Sequence, residues 1–460
     1  HEGEGRDILA ALAEEPDVWD VNLSDWSNDS QTSRFSEEGF QEPYTAFVKS
    51  VTTKPVVGVG RYTSPDSMVR VIRKGILDLI GAARPSIADP FLPKKIEEGR
   101  IEDIRECIGC NICVAGDHTM SPIRCSQNPS MGEEWRRGWH PERIRQADSE
   151  TRVLVVGAGP AGLEAAMMLG RRGYAVTLAE GGTELGGRLV SERRLPGLSA
   201  WGRVADYRIG QIAGMANVDV FRDSRLSAEQ VLDFGFPHVV VATGSSWRRD
   251  GVGRRILRPL PVAESAVVLT PDDLMAGMRP PSGPVAIFDD DHYFMGGVLA
   301  ELLAREGWQV TLVTPTGEAS SWTMMTMEQP RIQARLIEAG VTIRPHRILG
   351  AIRPGTVDLT CAYTGAASSI EAASVVLVTA RVPDAELMRG LEARRSDWAD
   401  AGVASVTAIG DALAPGTIAA AVWSGRRYAE EFDTSPRGLD DLPYLREVTE
   451  LVPGPLPWVS

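Results

Sequence analysis

The sequence predicts an α/β chain in three parts. These are the C-terminal part of a (β/α)8 barrel over residues 1–95, a cysteine-bearing segment over 96–150, and two Rossmann-like nucleotide-binding domains in the remainder. Three observations carry this prediction. Short apolar runs alternate with helical patterns up to residue 95. A Gly-x-Gly-x-x-Gly turn stands between an apolar run and a helical pattern at 157–162. A second strand–helix–strand pattern recurs at 284–313. The first Rossmann-like domain takes 151–250 and 395–460, and the second takes 251–394 between them.

The first part opens in a helical pattern from Asp7 to Glu15, without an initiator Met. Val18 to Ser24 reads as a buried strand, and Phe40 to Val51 as a helix. Lys54 to Gly60 is the next strand. Ser64 caps a helix that runs to Lys74, with Pro65 at its first position. Leu77 to Ala83 is a third strand. Three parallel strands do not close a barrel that needs eight, and an open arc leaves a buried edge unpaired. The expectation is that the earlier strands belong to sequence outside this chain.

The middle part is polar and lacks long periodic segments. It holds four of the chain's five cysteines: Cys107, Cys110 and Cys113 in a Cys-x-x-Cys-x-x-Cys run, then Cys125 after eleven residues. A triple run with a fourth thiolate from a following loop suits a [4Fe–4S] cluster, whereas structural zinc sites present two separated pairs. A cluster implies one-electron chemistry. Cys361 stands alone and reads as a core residue.

In the third part, Arg152–Val156 is a strand, Pro160–Arg171 a helix and Ala175–Ala179 the next strand. Gly157, Gly159 and Gly162 let backbone amides approach a pyrophosphate at the helix N-terminus. Glu180 ends the second strand, where an acid binds a ribose hydroxyl and disfavours a 2′-phosphate. Val239–Gly244 and Thr407–Asp411 read as later strands of this domain, with Gly410 and Asp411 placed to meet the far side of the nucleotide. In the second unit the glycines are replaced by Asp289, Asp290 and Asp291, followed by His292 and Tyr293. Three carboxylates suit a helix dipole but repel a phosphate, so this unit is expected to bind no NAD(P)H. His292 and Tyr293 read as solvated loop residues, with a repurposed site as the alternative.

Composition narrows the partners. A net charge of −14 excludes nucleic acid as a natural ligand. No apolar run reaches the ~18 residues of a membrane span. Cysteines that read as cluster ligands rather than a disulfide framework suit the reducing cytoplasm.

These residues carry a resemblance. Gly58-Val-Gly-Arg-Tyr62, Ala83-Arg-Pro-Ser-Ile-Ala-Asp-Pro-Phe91, the cysteine run, Gly132 to Pro141 and Gly157-Ala-Gly-Pro160 are similar to the trimethylamine, dimethylamine and histamine dehydrogenases. That group fuses an Old Yellow Enzyme-like barrel to a disulfide-reductase-like module, and the resemblance spans the whole chain. It implies FMN at the mouth of the barrel, the [4Fe–4S] cluster nearby and ADP in the first Rossmann unit. It also implies that the barrel begins about 230 residues earlier. The absent part would carry the covalent FMN cysteine and a Tyr/His pair, so this chain alone is expected to be inactive.

By the resemblance, Gly60, Arg61, Ala83 and Arg84 hold the FMN phosphate, and Arg84 lies between flavin and cluster. Trp26 walls the substrate pocket by cation–π contact. Asp29 orients the absent His. Asp117 stands where the trimethylamine enzymes place a second Trp and the histamine-oxidising members an acid, which favours histamine. The implied reaction is oxidative deamination. FMN takes a hydride equivalent, and single electrons leave through the cluster to an electron-transferring flavoprotein; a homodimer is the implied assembly. The competing readings are an NAD(P)H-dependent enoate or dienoyl-CoA reductase and a non-enzymatic electron-transfer subunit.

Overall fold

The computed structural model describes residues 2–23 and 25–434. Ser24, at the end of the first expected strand, and the stretch 435–460 assigned to the first nucleotide domain lie outside the described residues.

The N-terminal part holds three parallel strands, Trp19–Val21, Val56–Gly58 and Leu79–Ile80, paired in chain order. Val48, Val56, Tyr62, Val71 and Leu77 form its own core. The amphipathic helix Pro65–Arg73 buries Val71 in it. Leu79 remains 52% exposed on the outer strand. Two local expectations shift. The helix predicted over 40–51 is a single turn at Glu42–Thr45 that tightens into a 3₁₀ turn at Ala46–Ser50. The strand predicted to reach Ala83 stops at Ile80, and Ala83 instead opens the helix Ala83–Ala88. Pro85 accounts for this, because its fixed φ and missing N–H suit the first turn of a helix.

The two nucleotide-type sheets are each five-stranded and wholly parallel. The first runs in the order 405–408, 238–241, 152–156, 175–179, 218–221. The second runs 342–344, 310–313, 285–289, 374–378, 267–269. A three-stranded antiparallel sheet, 347–353, 356–361 and 367–371, packs on the second. The paired strands 245–247 and 381–383 join the two units. Central strands such as Arg152–Val156 read as continuous apolar runs because helices cover both faces.

The helix Pro160–Arg172 is buried along nearly its whole length and packs on the helix Ile418–Glu431. Glycines permit that contact: a side chain on Gly425 would lie 2.2 Å from the Ala161 carbonyl oxygen. Among the described residues no helix is long and apolar enough to cross a membrane.

Candidate functional site

The site begins at the C-terminal ends of the three parallel strands. Trp26–Asp29 is one helical turn, with Asp25 as its cap accepting from the Asn28 N–H. The Asp29 carboxylate accepts from Asn22 Nδ2 at 3.1 Å and from the Ser30 hydroxyl. Trp26 is half exposed, and its indole meets the His118 ring edge-on, with centroids 5.0 Å apart. Asp117, next to His118 on the helix Ile112–His118, is exposed. The structure therefore brings the segments of Trp26 and Asp117 together, but burial of the Asp117 charge is not a feature of the described residues.

Arg84 ties this mouth to the cysteine loop. Its Nη1 donates to Asn111 Oδ1 at 2.6 Å and to the Gln31 and Ser30 carbonyls at 2.9 and 3.2 Å. Asn111 Nδ2 also donates to the Ser30 carbonyl, and Asn111 holds a left-handed backbone just ahead of the helix at 112. Arg61, also left-handed at φ +58°, is buried, with its guanidinium on the Ser36 carbonyl and its Nε without a partner. A side chain on Gly109 would lie 3.0 Å from Arg61 Nη1, so Arg61 packs against the cysteine loop. Neither arginine is a surface ion pair. The N–H groups of Ala83 and Arg84, in the first turn of a helix rather than at a strand end, are among its unpaired donors.

The four thiols lie within electrostatic reach of one another. Gly109 N–H donates to Cys107 Sγ and Gln127 N–H to Cys125 Sγ, both at 3.4 Å; Cys110 Sγ lies 3.4 Å from the Ser126 hydroxyl. Burial pushes the Cys113 thiol up to about 11, and repulsion from Cys107 adds to this while Arg84 opposes it. Burial likewise raises Cys110 and Cys125, with the charges of Cys113 and Cys125 among the further causes for Cys110 and those of Cys107 and Cys113 for Cys125. Three thiols that burial keeps from ionising, close enough to repel one another's charge, fit a group that would stabilise their thiolate forms. Among the described residues no three His, Cys, Asp or Glu side chains are grouped to hold a single metal ion.

The first glycine turn opens onto a cavity of about 1120 Å³. Gly157 has φ +103°, and a side chain there would lie 2.3 Å from the Ala242 carbonyl oxygen. Gly162 lets the helix sit on the turn, since a side chain would lie 1.9 Å from the Gly157 oxygen. Gly159 faces open space. Glu180 accepts from the Ala158 N–H at 2.7 Å and the Gly182 N–H at 2.8 Å, which braces the turn and leaves lone pairs for a ribose hydroxyl. Gly410 is left-handed at φ +58°; Asp411 lines the cavity, accepts from the Ser245 hydroxyl at 2.9 Å and pairs with Arg381.

Four cationic residues on this cavity escaped the sequence reading, Arg188, Arg225, Arg254 and Arg381. Gly187 approaches Gly159 so closely that a side chain would lie 2.9 Å from its Cα. The Gly186-Gly187-Arg188 string was the available signal. For Arg381 no local signal exists, because it arrives from the second domain's end.

The second turn differs from expectation. It is not a solvated loop. Asp289 and Asp290 are fully buried and His292 is 9% exposed. Asp289 Oδ1 accepts the His292 N–H at 2.9 Å, and Asp290 Oδ2 accepts the Arg255 N–H at 2.9 Å. Burial holds the Asp289 carboxyl up at about 6. Tyr293 packs edge-on between Phe294 and Trp322. Gly296 faces the Asp289 carboxylate, where any side chain would meet it at 2.5 Å. The carboxylate thus fills the space at the helix start.

Comparison with known proteins agrees with this layout. Residues 7–103 match the NADH:flavin oxidoreductase / NADH oxidase family, 151–265 the pyridine nucleotide-disulphide oxidoreductases, and 269–374 the OYE-like second alpha/beta domain. Dimethylamine dehydrogenase from Hyphomicrobium sp. (strain x) is 38% identical over 94% of this chain and 62% of its own length. The structure of histamine dehydrogenase from Rhizobium sp. 4-9 is 56% identical with TM-score 0.96, covering 98% of this chain and 66% of that one. That of 6-hydroxypseudooxynicotine amine oxidase from Pseudomonas geniculata N1 is 52% identical with TM-score 0.91, covering 94% and 64%. The fold joins a segment of the NADH:flavin oxidoreductase / NADH oxidase family to a module of the pyridine nucleotide-disulphide oxidoreductase family. More particularly, the chain is a close homologue of the dimethylamine and histamine dehydrogenases. It spans less than two thirds of the length of the dimethylamine enzyme.

Proposed function

We propose that the protein containing this chain is an iron–sulfur flavoprotein amine dehydrogenase that oxidatively deaminates an amine, with histamine as the favoured substrate. The observation that carries this reading is Arg84, which joins the Ser30–Gln31 carbonyls beside Trp26 and Asp29 to Asn111 between the cluster cysteines. Substrate side and electron-exit side are thereby one hydrogen-bonded unit.

FMN, when bound, supplies the hydride acceptor; the cluster supplies one-electron transfer. FMN fits the first-turn N–H groups of Ala83 and Arg84 beside the buried Arg61, and Cys107, Cys110, Cys113 and Cys125 would hold the cluster. ADP fits the turn of Gly157, Gly159 and Gly162, with Glu180 on its ribose and Arg188 and Arg381 supplying positive charge toward its phosphates.

The chain's own residues do the rest. Trp26 offers an aromatic face to the cationic amine. Asp117 takes the second polar end of a longer substrate, such as an imidazole. Asp29, held by Asn22 and Ser30, orients a hydrogen-bonding group from outside this chain. Asp289, buried where a pyrophosphate would enter the second unit, disfavours NAD(P)H as the reductant. An electron-transferring flavoprotein as acceptor and a homodimer as assembly rest on the family resemblance.

The test is anaerobic bleaching of the flavin in the full-length protein by histamine, dimethylamine, trimethylamine, 6-hydroxypseudooxynicotine and NADH in turn. Bleaching by histamine is expected. Bleaching by another amine alone keeps the class and removes histamine. Bleaching by NADH alone makes the protein a reductase.

A further inference from the structure

His118 stands between two elements that the sequence holds far apart. Its Nδ1 lies 3.1 Å from the Met325 carbonyl oxygen. A carbonyl only accepts, so Nδ1 carries the proton and donates. The same ring meets the Trp26 indole edge-on at 5.0 Å and 73°.

Met325 belongs to a loop of the second nucleotide-type domain, and that loop is pinned onto the mouth of the strands. Ser320 and Met327 hold left-handed backbones at φ +50° and +61°. The Thr326 carbonyl accepts from Asn111 Nδ2 at 3.1 Å. Buried Glu328 accepts from the Thr32 hydroxyl at 3.0 Å, and Arg331 Nη2 donates to Asn28 Oδ1 at 2.8 Å. The domain whose glycine turn is filled thus makes these four polar contacts, and the buried Arg34–Glu301 ion pair, with the segments that carry Trp26 and the cysteines.

Trp26 needs such support. It lies half exposed on a helix of one turn, with no buried residue of that turn to lock its rotamer. We propose that His118 is a positioning residue: held by the Met325 carbonyl, it fixes the Trp26 indole as a wall of the amine pocket. The second nucleotide-type domain thereby sets amine affinity in place of binding a nucleotide. This inference rests on the amine-oxidation reading above.

The test uses the full-length protein and whichever amine bleaches its flavin. Stopped-flow reduction separates the amine Kd from the limiting rate. His118→Ala frees the indole, and ordering one such side chain on binding weakens affinity roughly 3–10-fold. The limiting rate should stay within about twofold, since the group acts on binding rather than on the reacting atoms. His118→Phe keeps a ring against Trp26 but lacks the donor, and should fall between native and His118→Ala; it also serves if the alanine variant does not fold. A native Kd in the variant, or a limiting rate that falls in step with affinity, overturns the proposal. Failure of every amine to reduce the native protein sinks the amine-oxidation reading instead.

Discussion

Arg208 Nε donates to Glu164 Oε2 at 2.7 Å, and both side chains are shut off from solvent. The guanidinium reaches further. Nη1 donates to Gln127 Oε1 at 3.1 Å and Nη2 to the Gln127 carbonyl at 3.0 Å. Gln127 in turn donates its N–H to Cys125 Sγ. The helix that begins at the glycine turn is thereby braced to the loop of the fourth cysteine.

Breaking that pair on one side leaves a buried charge uncompensated. Glu164→Gln or Arg208→Met should each destabilise the full-length protein by about 3–5 kcal/mol. The double variant Glu164→Met/Arg208→Met should lose less than the sum of the single changes, because neither charge is then stranded. Denaturant midpoints of the three variants measure this. Additive losses would mean that the two groups do not act as a pair.

Two glycines of the same turn should behave oppositely. Gly162→Ala drives a methyl to 1.9 Å from the Gly157 oxygen, and should cost about 1–3 kcal/mol of stability. Gly159 has ordinary φ of −72° and open space around it, so Gly159→Ala should fold with native stability. That methyl would stand where a pyrophosphate approaches the turn. Adenine nucleotide released from the denatured protein, measured by chromatography, should fall in the stable Gly159→Ala variant. Undiminished nucleotide there would separate the turn from phosphate binding.

Asp289 gives a pH signature. Burial, its largest cause, raises the folded carboxyl to about 6, above an unfolded value near 3.9. Below about pH 3 both states are protonated and the group contributes nothing. Between pH 4 and 6 the unfolded chain ionises first, so stability falls as pH rises, by up to about 3 kcal/mol. Asp289→Asn is neutral throughout and its carbonyl can still accept the His292 N–H. It should match the native protein near pH 3 and exceed it at pH 7.5. Denaturation curves at the two pH values decide this; parity at both would show that the carboxyl is not desolvated.

Much of the frame was legible along the chain. The strand Ala175–Ala179 and the helix beginning at Pro160 fall where the apolar runs and glycines place them, because a few neighbouring residues fix a tight turn and a buried parallel strand. The acids that replace the second turn's glycines could be read off directly. Their burial could not, since solvation depends on what covers the turn, and the cover of Tyr293 by Trp322 comes from another segment.

The cysteine spacing and the glycine turn are local patterns, so the order of residues was enough to mark them. The chain's tertiary arrangement alone placed Arg381 beside Asp411 and His118 between Trp26 and Met325. Contacts across such separations follow from how sheets and loops pack, and no neighbouring residue encodes them. The site's inner surface is therefore a property of the fold, while its separate motifs are properties of the sequence.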